Sequence, residues 1–301
     1  MEKRLNRTDY VFAITFIFML VVALGAFFYG LRLGQERAAA KYEELLVEKK
    51  AENNGLTAYH QQYLVSFYHT IYQPYREFHK AWFDKLDTLQ ANQSADASLI
   101  VKDLAKQSQE VYDTLSQKAA PDSSPLLKES QQNYMRSLKL TSEALRTFTS
   151  KANAMPGYEL VSQFQSDAYL SEARNFALLA EKQYYDAMLK WYETVSPQFK
   201  SIDVTATLAI KDWNALTLNM KNAYIANLFA GSAIFPAYTP QDMSARVDDL
   251  IASGQAKNMN LTNVPQIVNT LIATDAVRSG DFQRLKNKYY NGQTLPQLPF
   301  F

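Results

Sequence analysis

Two kinds of apolar pattern divide this chain. The first is a continuous run, Tyr10 to Leu31, with no charged residue among YVFAITFIFMLVVALGAFFYGL. It is about 22 residues long, against the ~20 a helix needs to cross a bilayer core. The second pattern begins after Asn54 and is periodic. Leu64, Tyr68, Ile71, Tyr75, Phe78, Trp82, Leu86 and Leu89 recur at spacings of three and four, the stripe of an amphipathic helix from Thr57 to about Gln90. Pro74 lies mid-pattern, where it is expected to kink the helix or split it after Gln73.

The same spacing returns four more times. Val101, Leu104, Ser108, Val111 and Leu115 mark a helix over 97–118. Leu127, Tyr134, Leu138, Leu145 and Phe148 mark the next, with Ser124 as its cap and Pro125 at its first position. Tyr169, Ala173, Phe176, Ala180, Tyr184, Met188 and Trp191 predict one long helix from Tyr158 to about Val195. Trp213, Leu216, Met220, Tyr224 and Leu228 predict a fifth, from about Val204 to Ala230. Long amphipathic helices joined by short turns pack antiparallel to their neighbours. The fold class is therefore all-α: a single N-terminal transmembrane helix, then an up-and-down antiparallel bundle of four or five long helices. A C-terminal region of short helices follows, near 240–253, 263–277 and 281–290, the first capped by Thr239 with Asp242 in its opening turn.

This gives five segments: a short cytoplasmic tail (1–9), a signal-anchor helix (10–31), a helical stalk (32–56), an extracytoplasmic bundle (57–230), and short helices with an extended tail (231–301). The stretch QERAAAKYEELLVEKKAENN is built of strong helix formers and ends at Asn53-Asn54-Gly55, so the anchor continues into water as the stalk. The span exceeds the ~7–15 residues of a cleavable signal core, which argues for an uncleaved anchor. Lys3, Arg4 and Arg7 before it balance Arg32, Arg37 and Lys41 after it. Orientation then follows from the short leading tail and the long following domain: N-terminus inside, domain outside. The absence of cysteine suits an exported body. Ala26, Gly30 and Gly34 form a small-residue ladder on the anchor, a face by which two spans approach as a homodimer.

Composition narrows the function. A net charge of +1 gives no electrostatic case for nucleic acid, and nine Gly and ten Pro in 301 residues are too few for a turn-dense β fold. His60, His69 and His79 are separated by nine and ten residues. Those steps rotate about 180° and 280° along a helix, so the three imidazoles do not converge on a metal. No phosphate loop, nucleophile elbow or paired Glu-x-x-His motif occurs, and no cofactor is expected. Asp84/Asp87 and Asp248/Asp249 read as solvated surface pairs.

One stretch is unusual. Tyr59, Tyr63, Phe67, Tyr68, Tyr72, Tyr75, Phe78, Trp82 and Phe83 cover more than one helix face. Part of this surface packs the core. Tyr59, Tyr63, Phe67, Tyr72 and Phe83 are the candidate lining of an aromatic groove for a glycan, a lipid or a peptide. Three functions remain open: a non-enzymatic, membrane-anchored protein acting by protein–protein interaction at the outer face, a ligand-binding or sensory module using the groove, and an enzyme with a dispersed site. The expected partners are the bilayer, through 10–31, and another protein.

Overall fold

The computed structural model describes residues 58–91, 96–196, 199 and 202–301, together with Met19. The expected cytoplasmic tail, the expected stalk, the Ala26/Gly30/Gly34 face and all of the expected span but Met19 lie outside these residues. No helix among the described residues is long and apolar enough to cross a membrane.

The described chain is helical, and its helices pack on one another. The first amphipathic stripe gives α1 (Gln61–Phe67) and α2 (Gln73–Ala91). They are not split after Gln73. A π turn over Tyr68–Tyr72 joins them, in which the Gln73 N–H reaches back to the Tyr68 carbonyl. The ladder thus shifts register just ahead of Pro74, which has no N–H to give. Next come α3 (Ala97–Ser116), with Asp96 accepting the Leu99 N–H at 3.0 Å, and α4 (Pro125–Phe148). Ser124 precedes Pro125 as expected, but its hydroxyl donates to the Ala58 carbonyl instead of capping α4.

The helix expected over 158–195 is two helices, α5 (Gly157–Ser166) and α6 (Ala168–Val195). Asp167 makes the break: its backbone is extended and its carboxylate accepts the Leu170 N–H at 2.9 Å. A carboxylate that caps the following turn competes with the continuous ladder. Tyr169, expected on the buried stripe, consequently stands exposed on the first turn of α6. The fifth helix is also shorter than its pattern. Asp203 accepts the Thr205 N–H in a turn, α7 (Ile210–Asn214) is brief, and α8 (Leu218–Gly231) begins only after Thr217.

Side-chain hydrogen bonds fix how the long helices run. Ser98 reaches Thr149 O, Ser142 reaches Ala105 O, Ser108 reaches Leu138 O, and Gln131 reaches Leu115 O. Numbers rise on α3 as they fall on α4, so the two are antiparallel. Gln183 bonds Glu129 while Phe176 lies under Arg136, which makes α6 antiparallel to α4. Leu64, Ile71, Tyr75, Leu104, Leu138, Leu145 and Tyr184 from these helices are all buried.

The C-terminal helices are α9 (Pro240–Ala252), α10 (Gln255–Asn258), α11 (Val264–Ala273) and α12 (Asp281–Tyr289). Thr239 and Asp242 close the capping box their spacing predicts. Asp242 does more. Its other oxygen accepts the Gly280 and Phe282 N–H groups at 3.1 and 3.0 Å, so one carboxylate starts both α9 and α12. Helices α7 and α8 share their core with this region: Trp213 of α7 and Tyr224, Ile225 and Phe229 of α8 pack with Met243, Val247, Ile267, Val268 and Leu271. Leu178 of α6 joins that cluster. Leu298 is buried, and the Phe300 ring lies 5.3 Å from that of Tyr68.

The Asp248/Asp249 pair is a correction. Asp248 is only 8% exposed and accepts hydrogen bonds from Trp213 Nε1 (2.6 Å), Lys221 Nζ (2.8 and 2.9 Å) and Tyr290 OH (2.6 Å). The sequence stripe missed this because three of the four residues come from elements that meet only in the tertiary fold. Asp84, by contrast, is exposed and pairs with Lys80.

Candidate functional site

The outer face of α2 is not covered by a bundle helix. Gln73, Arg76, Glu77, Lys80 and Asp84 project from it at three- and four-residue steps, a single polar face. Opposite stands the C-terminal segment: Ala237 and Thr239 before α9, Gln241 within it, Ser279 before α12, and Phe300. Between them lies a cleft of about 450 Å³. Its apolar walls are Tyr68 and Tyr72 of the π turn, Phe83 of α2 and Phe300, whose ring is 5.8 Å from that of Tyr72. The register shift ahead of Pro74 thus supplies two of the walls.

Of the predicted groove residues, Tyr72 and Phe83 meet here. Tyr59, Tyr63 and Phe67 do not. Phe67 is buried with its ring 4.9 Å from that of Tyr184, Tyr63 packs its ring edge on His60 (6.5 Å), and Tyr59 OH accepts the Leu126 N–H at 3.5 Å. A helical turn separates these rings onto different faces, so the aromatic run is not one continuous groove. Phe83 also borders a second cleft of about 260 Å³, walled by Trp82, Phe164 and Phe235. There Arg174 donates to Phe164 O and Gln165 O, capping the last turn of α5.

Behind the lining residues Tyr72, Arg76 and Gln241 lie further polar groups. Tyr72 OH donates to Glu181 Oε1 at 3.3 Å, and Tyr185 OH donates to Gln241 Oε1. Burial raises the Glu181 carboxyl above its ordinary pKa, and Arg76 partly offsets this. Burial also raises Tyr72, with the Glu181 charge adding to it. Arg76 NH1 lies 3.2 Å from His79 Nδ1. A guanidinium can only donate, so Nδ1 must accept. In a neutral ring the proton is then on the other nitrogen. Burial, then the Arg76 charge, hold the His79 pKa well below its usual value, and the Pro236 backbone only partly opposes them. The imidazole is neutral.

Charges at the rim differ in how they are met. Lys80 pairs with Asp84 at 2.5 Å, and Glu77 accepts from Gln73 Nε2 at 3.0 Å. Arg76 has no carboxylate within 4.0 Å among the described residues; burial opposes its charge, but Tyr72, Glu181, Tyr185 and Tyr134 more than offset that from further away and raise its pKa. Thr239 Oγ1 is held by Asp242 at 2.7 Å. Among the described residues no group of His, Asp or Glu is arranged to hold a metal ion.

Sequence reasoning passed over Arg76, Gln241 and Ser279. Arg76 carried a readable signal, a cation set within an aromatic run; the other two come to the cleft only through tertiary packing. No family model, curated protein or solved structure matches the chain.

Proposed function

We propose that this chain is a single-pass, membrane-anchored, non-enzymatic helical protein. Residues 10–31 hold it in the bilayer, and its extracytoplasmic body binds a small amphipathic ligand. The observation that carries the ligand-binding reading is the cleft between α2 and the C-terminal segment. Its volume of about 450 Å³ falls within the ~300–1,000 Å³ typical of ligand sites. Aromatic walls with a few fixed polar groups are the usual composition of such sites. The cleft takes the place of the longer groove expected from the aromatic run. It suits a compact ligand, or the end residue of a peptide, better than an extended chain.

The test uses the full chain in lipid nanodiscs, with calorimetric titration of small glycans, lipid headgroups and short peptides. Binding that Phe83→Ala abolishes, while far-UV circular dichroism stays unchanged, supports the reading. If no probe binds in a Phe83-dependent manner, the reading fails. The anchor has its own test: the native protein stays with membranes through a carbonate wash, and protease added to intact cells removes the body.

A further inference from the structure

We propose that Arg76 is the anion anchor of this cleft, and that its ligand is a small carboxylate carrying a flat apolar body. This rests on the cleft being a binding site and names what it takes. Arg76 is a cation with no direct ion pair. Arg76 projects into a cleft with aromatic walls, and its nearest neighbour is the neutral imidazole of His79 at 3.2 Å. A guanidinium has five donors in a planar fork, and one bond to Nδ1 leaves most of them unspent. Carboxylates match that fork in two parallel bonds.

His79 is a positioning residue. Its Nδ1 faces the guanidinium and can only accept from it, so the neutral ring carries its proton on the other nitrogen. The imidazole is clamped by Phe83 (5.0 Å) and Phe235 (4.8 Å), so its direction is set. The fixed ring therefore aims the guanidinium without forming a direct ion pair with it.

The remaining walls decide the rest of the ligand. The rings of Tyr68, Tyr72 and Phe300 lie 5.3 to 6.0 Å apart around one side of the cleft, a surface for a flat apolar group. Lys80 is already occupied by Asp84, so one cation is available and not two. Glu77 at the rim and Glu181 behind Tyr72 disfavour a second negative charge. A monoanion fits this balance; a phosphate dianion does not.

Calorimetry on the full chain in nanodiscs, with empty nanodiscs as the blank, decides the matter with four probes: 3-phenylpropionate, 3-phenylpropylamine, 3-phenylpropanol and inorganic phosphate. The wild-type protein is expected to bind the carboxylate at least 10-fold more tightly than the amine, the alcohol or phosphate. This ranking needs no variant. Arg76→Gln is expected to weaken the carboxylate by 10-fold or more and to leave the alcohol unchanged, with Arg76→Lys intermediate. His79→Phe should weaken the carboxylate and not the alcohol, a difference that a purely structural role would not produce. Equal or tighter binding of the amine or alcohol, sensitive to Phe83→Ala, overturns the carboxylate while leaving the cleft as a site. Phosphate matching the carboxylate overturns the choice of anion. No Phe83-dependent binding by any probe overturns both readings.

Discussion

Replacing Asp248 tests how the C-terminal half is held together. Its carboxylate is 8% exposed and receives four short hydrogen bonds, from Trp213, from Lys221 twice and from Tyr290. Asp248→Ala leaves the Lys221 ammonium, itself 7% exposed, without a counter-ion. Breaking a buried pair in this way costs about 3–5 kcal/mol. The stranded indole N–H and phenol add to this, each by about 1 kcal/mol or more where water cannot reach them. At about 2–4 °C per kcal/mol for a domain of this size, the resulting total of about 5–7 kcal/mol should lower the midpoint by roughly 10–28 °C. Tryptophan fluorescence reports the unfolding, because Trp82, Trp191 and Trp213 are all buried. The double variant Lys221→Met/Asp248→Leu removes both charges together. It should recover at least about 2 kcal/mol relative to the sum of the single variants, since coupled neighbours are non-additive. A loss below about 1 kcal/mol in Asp248→Ala, or strict additivity in the cycle, would refute the buried-pair account.

Three further outcomes follow from other parts of the molecule. In Gly157→Ala the new Cβ would lie 1.9 Å from the Leu89 carbonyl oxygen, so α5 must shift from α2; a loss of about 1–3 kcal/mol in urea unfolding is expected. Asp242→Ala removes the acceptor of the Gly280 and Phe282 amides, and hydrogen exchange at Phe282 should accelerate while that in α4 does not. The His79 pKa lies well below 6.5 in the folded protein, so below pH 6.5 the unfolded chain binds more protons. Its contribution is complete above about pH 6.5 and is lost as pH falls, with a slope of at most about 1.4 kcal/mol per unit. Glu181 acts oppositely: its raised pKa favours folding below about pH 4.5, and that advantage is lost as pH rises through the folded value. The difference between wild type and His79→Phe isolates the histidine, and identical pH profiles for the two would contradict the assignment.

The sequence by itself determined the helical class and most helix locations. Three-and-four spacing is a local property, and a stripe such as Leu127, Tyr134, Leu138 and Leu145 must be buried wherever the helix goes. Caps that depend on neighbours in sequence were equally legible, as Thr239 with Asp242 and Pro125 at the start of α4 show. Periodicity could not reveal that Asp167 would divide one stripe into two helices, because the cap competes with a ladder the stripe also satisfies. Nor could it show which of the many aromatic residues would share a surface. Only the tertiary structure decided that Tyr72 and Phe83 face a cleft while Phe67 is sealed against Tyr184. The same holds for Asp248 and for Gln241, whose partners lie 27 to 56 residues away in the chain. Burial of a polar group depends on which elements meet over it, and that meeting is set by the packing of whole helices, not by spacing along any one of them.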